Sequence, residues 1–177
     1  MANDISDPTF LADLRDHVVG ETVVFTGSRE FPRHHQQVKI DQMLARLHNA
    51  NGFVTGACIG IDHYVGLRLL RMYPDKHHTV VVPADRSRVV NWWAPYAAPP
   101  APVGWSPPAG VEVIEMPAGT SYRDRNQRMI DLGSFLIGYP ARTEFHDASR
   151  RSGSWQTVRM GRRSYRRQPA VVPLDAM

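Results

Sequence analysis

The sequence predicts an α/β domain built on a doubly wound, mainly parallel sheet with helices on both faces. Two observations lead there. Short apolar, β-branched runs without polar alternation recur along the chain, as in strands that are covered on both sides. Between them lie stretches whose apolar residues fall three and four apart, the spacing of amphipathic helices. Such alternation closes into a parallel sheet through right-handed crossovers.

The first twenty residues read as an N-terminal extension with a short helix around Phe10–Leu14, and residues 21–177 as one domain. Thr22–Thr26, ending at Gly27, is a first buried strand. Ile40, Met43, Leu44 and Leu47 mark one face of a helix from Gln37 to His48. Asn51-Gly52 is a turn, and Gly52–Thr55 a second strand. After the small-residue turn Gly56–Gly60, a helix carries Ile61, Val65, Leu69 and Met72 on one stripe and ends before Pro74. Thr79–Pro83 and Val111–Glu115 are the next strands. Thr120 or Ser121 caps a helix that runs to about Leu132. A fifth strand at Ser134–Gly138, a helix from Ser152 to Arg167 and a last strand at Ala170–Val172 complete the pattern.

Residues 84–110 break the rhythm with a Pro/Trp-rich insertion containing Trp92, Trp93, Tyr96 and Trp105. Long loops in compact domains tend to be functional or disordered. The aromatics fit either a lid that stacks on a base or a small core that packs the loop down or meets another subunit.

With 177 residues and 42% hydrophobic content, one domain with a sizeable core fits, and two would be cramped. The net charge is +4, and Lys39 and Lys76 are the only lysines. Arginine therefore supplies nearly all the positive charge, in a planar form suited to phosphate or carboxylate. Cys58 is the single cysteine, so no disulfide forms within the chain, which fits a reducing compartment. No signal-peptide pattern opens the chain, and no run approaches the roughly 18 apolar residues of a membrane span. The expectation is a cytoplasmic protein with no membrane partner, no cofactor and no metal site.

Ligands of open parallel sheets bind beyond the carboxyl ends of the strands, and four loops there stand out. In Gly27-Ser28-Arg29-Glu30-Phe31, a glycine admits a ligand to the main chain, beside a hydroxyl and a guanidinium; the alternative is a plain turn with an exposed arginine. In the second loop, Gly56 and Gly60 bracket Ala57, Cys58 and Ile59 ahead of Ile61 and Asp62. Such a strand-to-helix turn aims amides and a positive helix end at an anion. Asp62 either caps that helix or accepts from a ribose hydroxyl, and Cys58 reads as a packing residue. In the third, Tyr122-Arg123-Asp124-Arg125-Asn126-Gln127-Arg128, Arg125 and Asn126 lie near a helix start, where an arginine is well placed only with an anion between it and the helix end; the alternative is a solvated charged face. The fourth, Ser152 followed by Gly153, Ser154, Trp155, Gln156 and Thr157, resembles an anion nest. Beyond it Arg159, Arg162, Arg163, Arg166 and Arg167 form one basic stripe, suited to a nucleic-acid backbone or merely solvated.

Taken in order, the four blocks resemble the SMF/DprA–LOG (SLOG) superfamily. This group includes the DNA-processing protein DprA, the LOG cytokinin-activating phosphoribohydrolases and nucleotide-sensing domains of bacterial antiphage systems. Gly60-Ile61-Asp62, Arg125-Asn126 and Ser152-Gly153-Ser154 are most similar to the DprA version. The resemblance runs from about residue 20 to 173. It implies a Rossmann-like fold, a phosphate or nucleotide pocket and, by analogy alone, a homodimer or higher homo-oligomer.

The LOG enzymes also resemble this chain in an arginine near Arg125 and a Gly-Thr pair near Gly153 and Thr157. Their glutamate just after that threonine is missing, because Val158, Arg159 and Met160 stand there. N-glycoside cleavage needs a carboxylate near the anomeric carbon. Glu144, Asp147 and Arg125 are the candidates for an active site, and none is required. The leading expectation is thus a stand-alone binder of a nucleotide or an ADP-ribose-like derivative, which senses or sequesters a signalling nucleotide in an antiphage or phage setting. An N-glycoside hydrolase comes second and a DprA-like single-strand binder third.

Overall fold

The computed structural model describes residues 8–90, 107–142 and 152–177. Its elements are α1 (Pro8–His17), β1 (Thr22–Gly27), α2 (His34–Leu44), β2 (Gly52–Gly56), α3 (Ile61–Met72), β3 (His77–Val82), β4 (Val111–Glu115), α4 (Tyr122–Leu132), β5 (Phe135–Tyr139), α5 (Gly153–Ser164), β6 (Ala170–Val171) and a closing 3₁₀ turn, Leu174–Ala176. The six strands form one sheet in the order β4-β3-β2-β1-β5-β6, and every neighbouring pair is parallel. This is a Rossmann-like, doubly wound architecture.

Alternate residues of each strand serve opposite layers. Val23 and Phe25 of β1 and Ile137 of β5 join Ile40, Met43, Ile61, Val65 and Leu69 from α2 and α3 in one core cluster. Val24 of β1 and Leu136 of β5 point the other way, to Met129 and Ile130 of α4 and Trp155 and Val158 of α5. These strands are apolar on both faces, which is why their sequences show no alternation. Each such side chain, fully buried, contributes roughly 1.5–3 kcal/mol. α1 is more than an appendage: Leu14 and the following Val18 are buried in the first cluster.

Several element boundaries differ from the sequence expectation, most of all in α2, β3 and α5. α2 begins at His34 because the Gln36 side chain accepts from the Arg33 amide at 2.7 Å. It ends at Leu44, and Leu47 stays buried from the tight turn beyond, where its amide donates to the Leu44 carbonyl. β3 starts at His77 and stops before Pro83, which has no amide to donate. α5 ends at Ser164. There Tyr165 turns aside and its hydroxyl donates to the Ile130 carbonyl at 2.7 Å. Arg166 and Arg167 therefore leave the helix, and Arg167 turns to Glu21 at 3.6 Å. The expected five-arginine stripe shrinks to Arg159, Arg162 and Arg163.

No helix among the described residues is long and apolar enough to cross a membrane. Most of the 84–110 insertion, including Trp92, Trp93, Tyr96 and Trp105, lies outside the described residues.

Gly60 carries the tightest backbone requirement. Its φ is +89°, and a Cβ there would collide with the main chain of Ser28 and Arg29. Gly60→Ala is expected to cost about 2 kcal/mol or more, read as a lowered urea midpoint.

His78 is buried, with its ring against Phe53 and Nε2 donating to the Tyr73 carbonyl at 2.9 Å. Burial pulls its pKa below the ordinary 6.5, with the Tyr73 carbonyl opposing and His77 adding to the shift. Below pH 6.5 the unfolded chain binds a proton there that the folded chain refuses, so stability falls as pH drops through that value. His78→Gln, which keeps a donor in place, is expected to show a shallower acid-side decline in urea unfolding across the same range.

Candidate functional site

β1 and β5 are neighbours, and the chain leaves them for opposite layers: β1 leads to α2, β5 to α5. This divergence opens a crevice at their carboxyl ends, the usual ligand position in such sheets. A cleft of about 470 Å³ lies there. All four loops singled out in the sequence reach it, through Gly27, Ser28 and Arg29; Cys58 and Asp62; Arg125 and Asn126; and Gly153, Ser154 and Gln156.

Main-chain hydrogen bonds hold the loops together. The Ser28 amide donates to the Tyr139 carbonyl of β5 at 2.9 Å, and the Ser28 carbonyl accepts from the Ile61 amide of α3 at 2.9 Å. Ser154 Oγ donates to the Gly27 carbonyl at 2.6 Å, which ties the first turn of α5 to the end of β1. Ser152 caps α5, its Oγ accepting from the Trp155 amide at 3.4 Å.

The two expected anion nests differ in availability. Around the β2–α3 turn three amides have partners: Cys58 donates to Asp62 Oδ2, Ile59 to the Arg88 carbonyl and Ile61 to the Ser28 carbonyl. That nest is partly filled from within. At α5, the amides of Gly153 and Ser154 have no partner among the described residues. Gly153 is exposed, and a Cβ there would meet no described residue within 4 Å. The open helix start is therefore that of α5.

Arg125 and Asp62 are placed differently from expectation. Both are buried, 5% and 6% exposed, and they face each other under the cleft, Arg125 Nη2 lying 3.5 Å from Asp62 Oδ2. Nη2 also donates to Cys58 Sγ at 3.1 Å and Nη1 to Met129 Sδ at 2.8 Å, while Nε has no partner. So the arginine at the helix start finds its anion inside the protein. Gly56 makes room for this pair, since a Cβ there would strike both side chains. Burial pushes the Asp62 carboxyl above the usual carboxylate range and Arg125 opposes the shift. Burial likewise raises the Cys58 thiol above 9.0, in keeping with a packing role rather than a nucleophilic one.

Several expected residues stand behind the cleft rather than on it. Ala57 packs with Val80 and Val82, and Ile61 belongs to the first core cluster. Trp155 is buried in the second and donates through Nε1 to the Arg142 carbonyl at 2.9 Å. Thr157 is buried and donates to the Gly153 carbonyl at 2.9 Å. Gly56 and Gly60 shape the backbone as described. Glu144 and Asp147 lie outside the described residues.

Thr26 and Ala141 also line the cleft from outside the four loops, and Ile59, Tyr122 and Ser152 line it from within them, where nothing in the sequence assigned them a contact with a ligand. Tyr122 matters most. Its ring lies beneath the Arg29 guanidinium, 5.0 Å from Cζ to the ring centroid, with Arg125 Cζ at 5.8 Å. Its place directly after the capping Ser121 was the available signal. Among the described residues no group of three or more His, Cys, Asp or Glu side chains is placed to hold a metal ion.

No family model, curated protein or solved structure matches the chain.

Removing one partner of the buried pair leaves the other charge stranded. Asp62→Ala is expected to destabilise the fold by about 3 kcal/mol, measured by chemical denaturation.

Proposed function

We propose that the protein holds a phosphate-bearing nucleotide, or an ADP-ribose-like derivative, in the β1–β5 cleft, and that it is a SLOG-type domain. One observation carries the reading: amides at the start of α5 that have no partner among the described residues share one cleft with the guanidinium of Arg29. Arg29 is exposed and forms no salt bridge among the described residues. Amides at a helix start and a free arginine are complementary to phosphate. The cleft volume of about 470 Å³ falls within the range of small-molecule sites.

Binding without turnover is the better-supported form. Among the described residues the only carboxylate on the cleft wall is Asp62, and Arg125 and the Cys58 amide engage it. Holding without cleaving suits sensing or sequestration of a signalling nucleotide. With Arg166 and Arg167 off the helix, no observation favours the nucleic-acid reading.

The test is calorimetric titration with AMP, ADP-ribose and NAD, followed by chromatography of the incubated ligands. Saturable binding with every ligand recovered intact is expected. Base released in proportion to protein would overturn the binder in favour of the hydrolase.

Gly153→Glu places a carboxylate before the open amides, at an exposed position where an added Cβ meets no described residue within 4 Å. It is expected to change stability by no more than about 0.5 kcal/mol and to weaken ligand binding about tenfold or more. Unchanged affinity would move the phosphate away from α5.

A further inference from the structure

The phosphate reading assigns no task to the aromatic wall of the cleft. We propose that Tyr122 is the platform on which the ligand's planar base stacks, and that Arg29 leaves the ring for the phosphate as the base arrives. The inference rests on the nucleotide reading above and adds the recognition of the base.

Tyr122 is held at both ends. It is the first residue of α4, directly after a reciprocal cap in which Asp124 Oδ2 accepts from the Ser121 amide at 2.8 Å and Ser121 Oγ accepts from the Asp124 amide at 3.2 Å. Its hydroxyl donates to the Asp85 carbonyl at 3.2 Å. Burial, first among several causes, pushes the phenol up to about 12, so the hydroxyl remains a donor throughout the neutral range. The ring is therefore a fixed surface in the cleft wall.

The two cations near the ring differ in freedom. Arg125 is buried and tied to Asp62, Cys58 and Met129. Arg29 is exposed, and its guanidinium lies over the ring with no salt bridge among the described residues, although Asp85 and Asp62 are near enough to feel its charge. A guanidinium is planar and delocalised, and it stacks on aromatic faces. The face it covers is one that a purine or pyrimidine also fits. An exposed cation over a half-buried ring is weakly held, whereas a charge-assisted bond to phosphate is strong and short. A ligand bearing both groups thus offers Arg29 a better partner and the ring a replacement. A phosphate without a base gives up the stacking, and a base without a phosphate must displace Arg29 unaided.

The exchange is tested by calorimetry of the full chain with AMP, ribose 5-phosphate and adenosine. The wild type is expected to bind AMP about tenfold or more tighter than ribose 5-phosphate. Tyr122→Leu should bring the two toward parity, while Tyr122→Phe, which keeps the ring, should retain most of the preference. Arg29→Ala should weaken AMP yet strengthen adenosine, because the ring face is then uncovered. Melting curves check that each variant folds; should Tyr122→Leu fail, the Tyr122→Phe and Arg29→Ala comparisons still decide. A wild type that binds AMP and ribose 5-phosphate equally overturns the stacking role and leaves the nucleotide reading intact. A preference that survives in Tyr122→Leu, or adenosine binding that weakens in Arg29→Ala, also overturns it. A wild type that binds none of the three overturns both.

Discussion

The ion pair between Arg125 and Asp62 organises the floor on which everything else rests. Two opposite charges taken out of water are costly, and their mutual attraction offsets that cost only in good geometry. Here the geometry depends on Gly56 at the end of β2, on the first turn of α3 for the carboxylate and on the first turn of α4 for the guanidinium. The pair joins two helices from opposite layers over the carboxyl end of β2. It also decides which charges face outward: with Arg125 neutralised from within, the positive groups left to the cleft are Arg29 and the start of α5.

That division explains why two similar-looking glycine turns do different work. The β2–α3 turn directs its amides at Asp62, Arg88 and Ser28 and is a structural joint. The β5–α5 junction brings a helix start to the same rim with its leading amides open. Both turns end a strand, contain glycine and precede a helix. What separates them is the company that the rest of the fold brings to them.

The sheet was readable from sequence because its signal is local. Val23, Val24 and Phe25, or Phe135, Leu136 and Ile137, are apolar on both strand faces, and no other arrangement of this chain buries them so simply. The end of α5 was not readable, because it depends on a bond from Tyr165 to a carbonyl of α4, far away in the chain. The four loops were rightly expected at one rim, yet the inward turn of Arg125 escaped notice. A clue existed: Arg125 and Asn126 fall four positions before Met129 and Ile130, so they share the buried stripe of α4. The outward role of Tyr122 depends on Asp85 and Arg29, which only the folded chain brings near it.

Ser28 is stitched on both sides through its main chain, its amide to β5 and its carbonyl to α3. The floor of the crevice therefore keeps its shape whatever side chains stand above it. Arg29, Tyr122 and Gln156 stand on the cleft wall beside this frame, outside its main-chain stitching. A scaffold of this kind can be refitted for a different guest by exchanging a few rim residues, one at a time, without passing through an unfolded intermediate form.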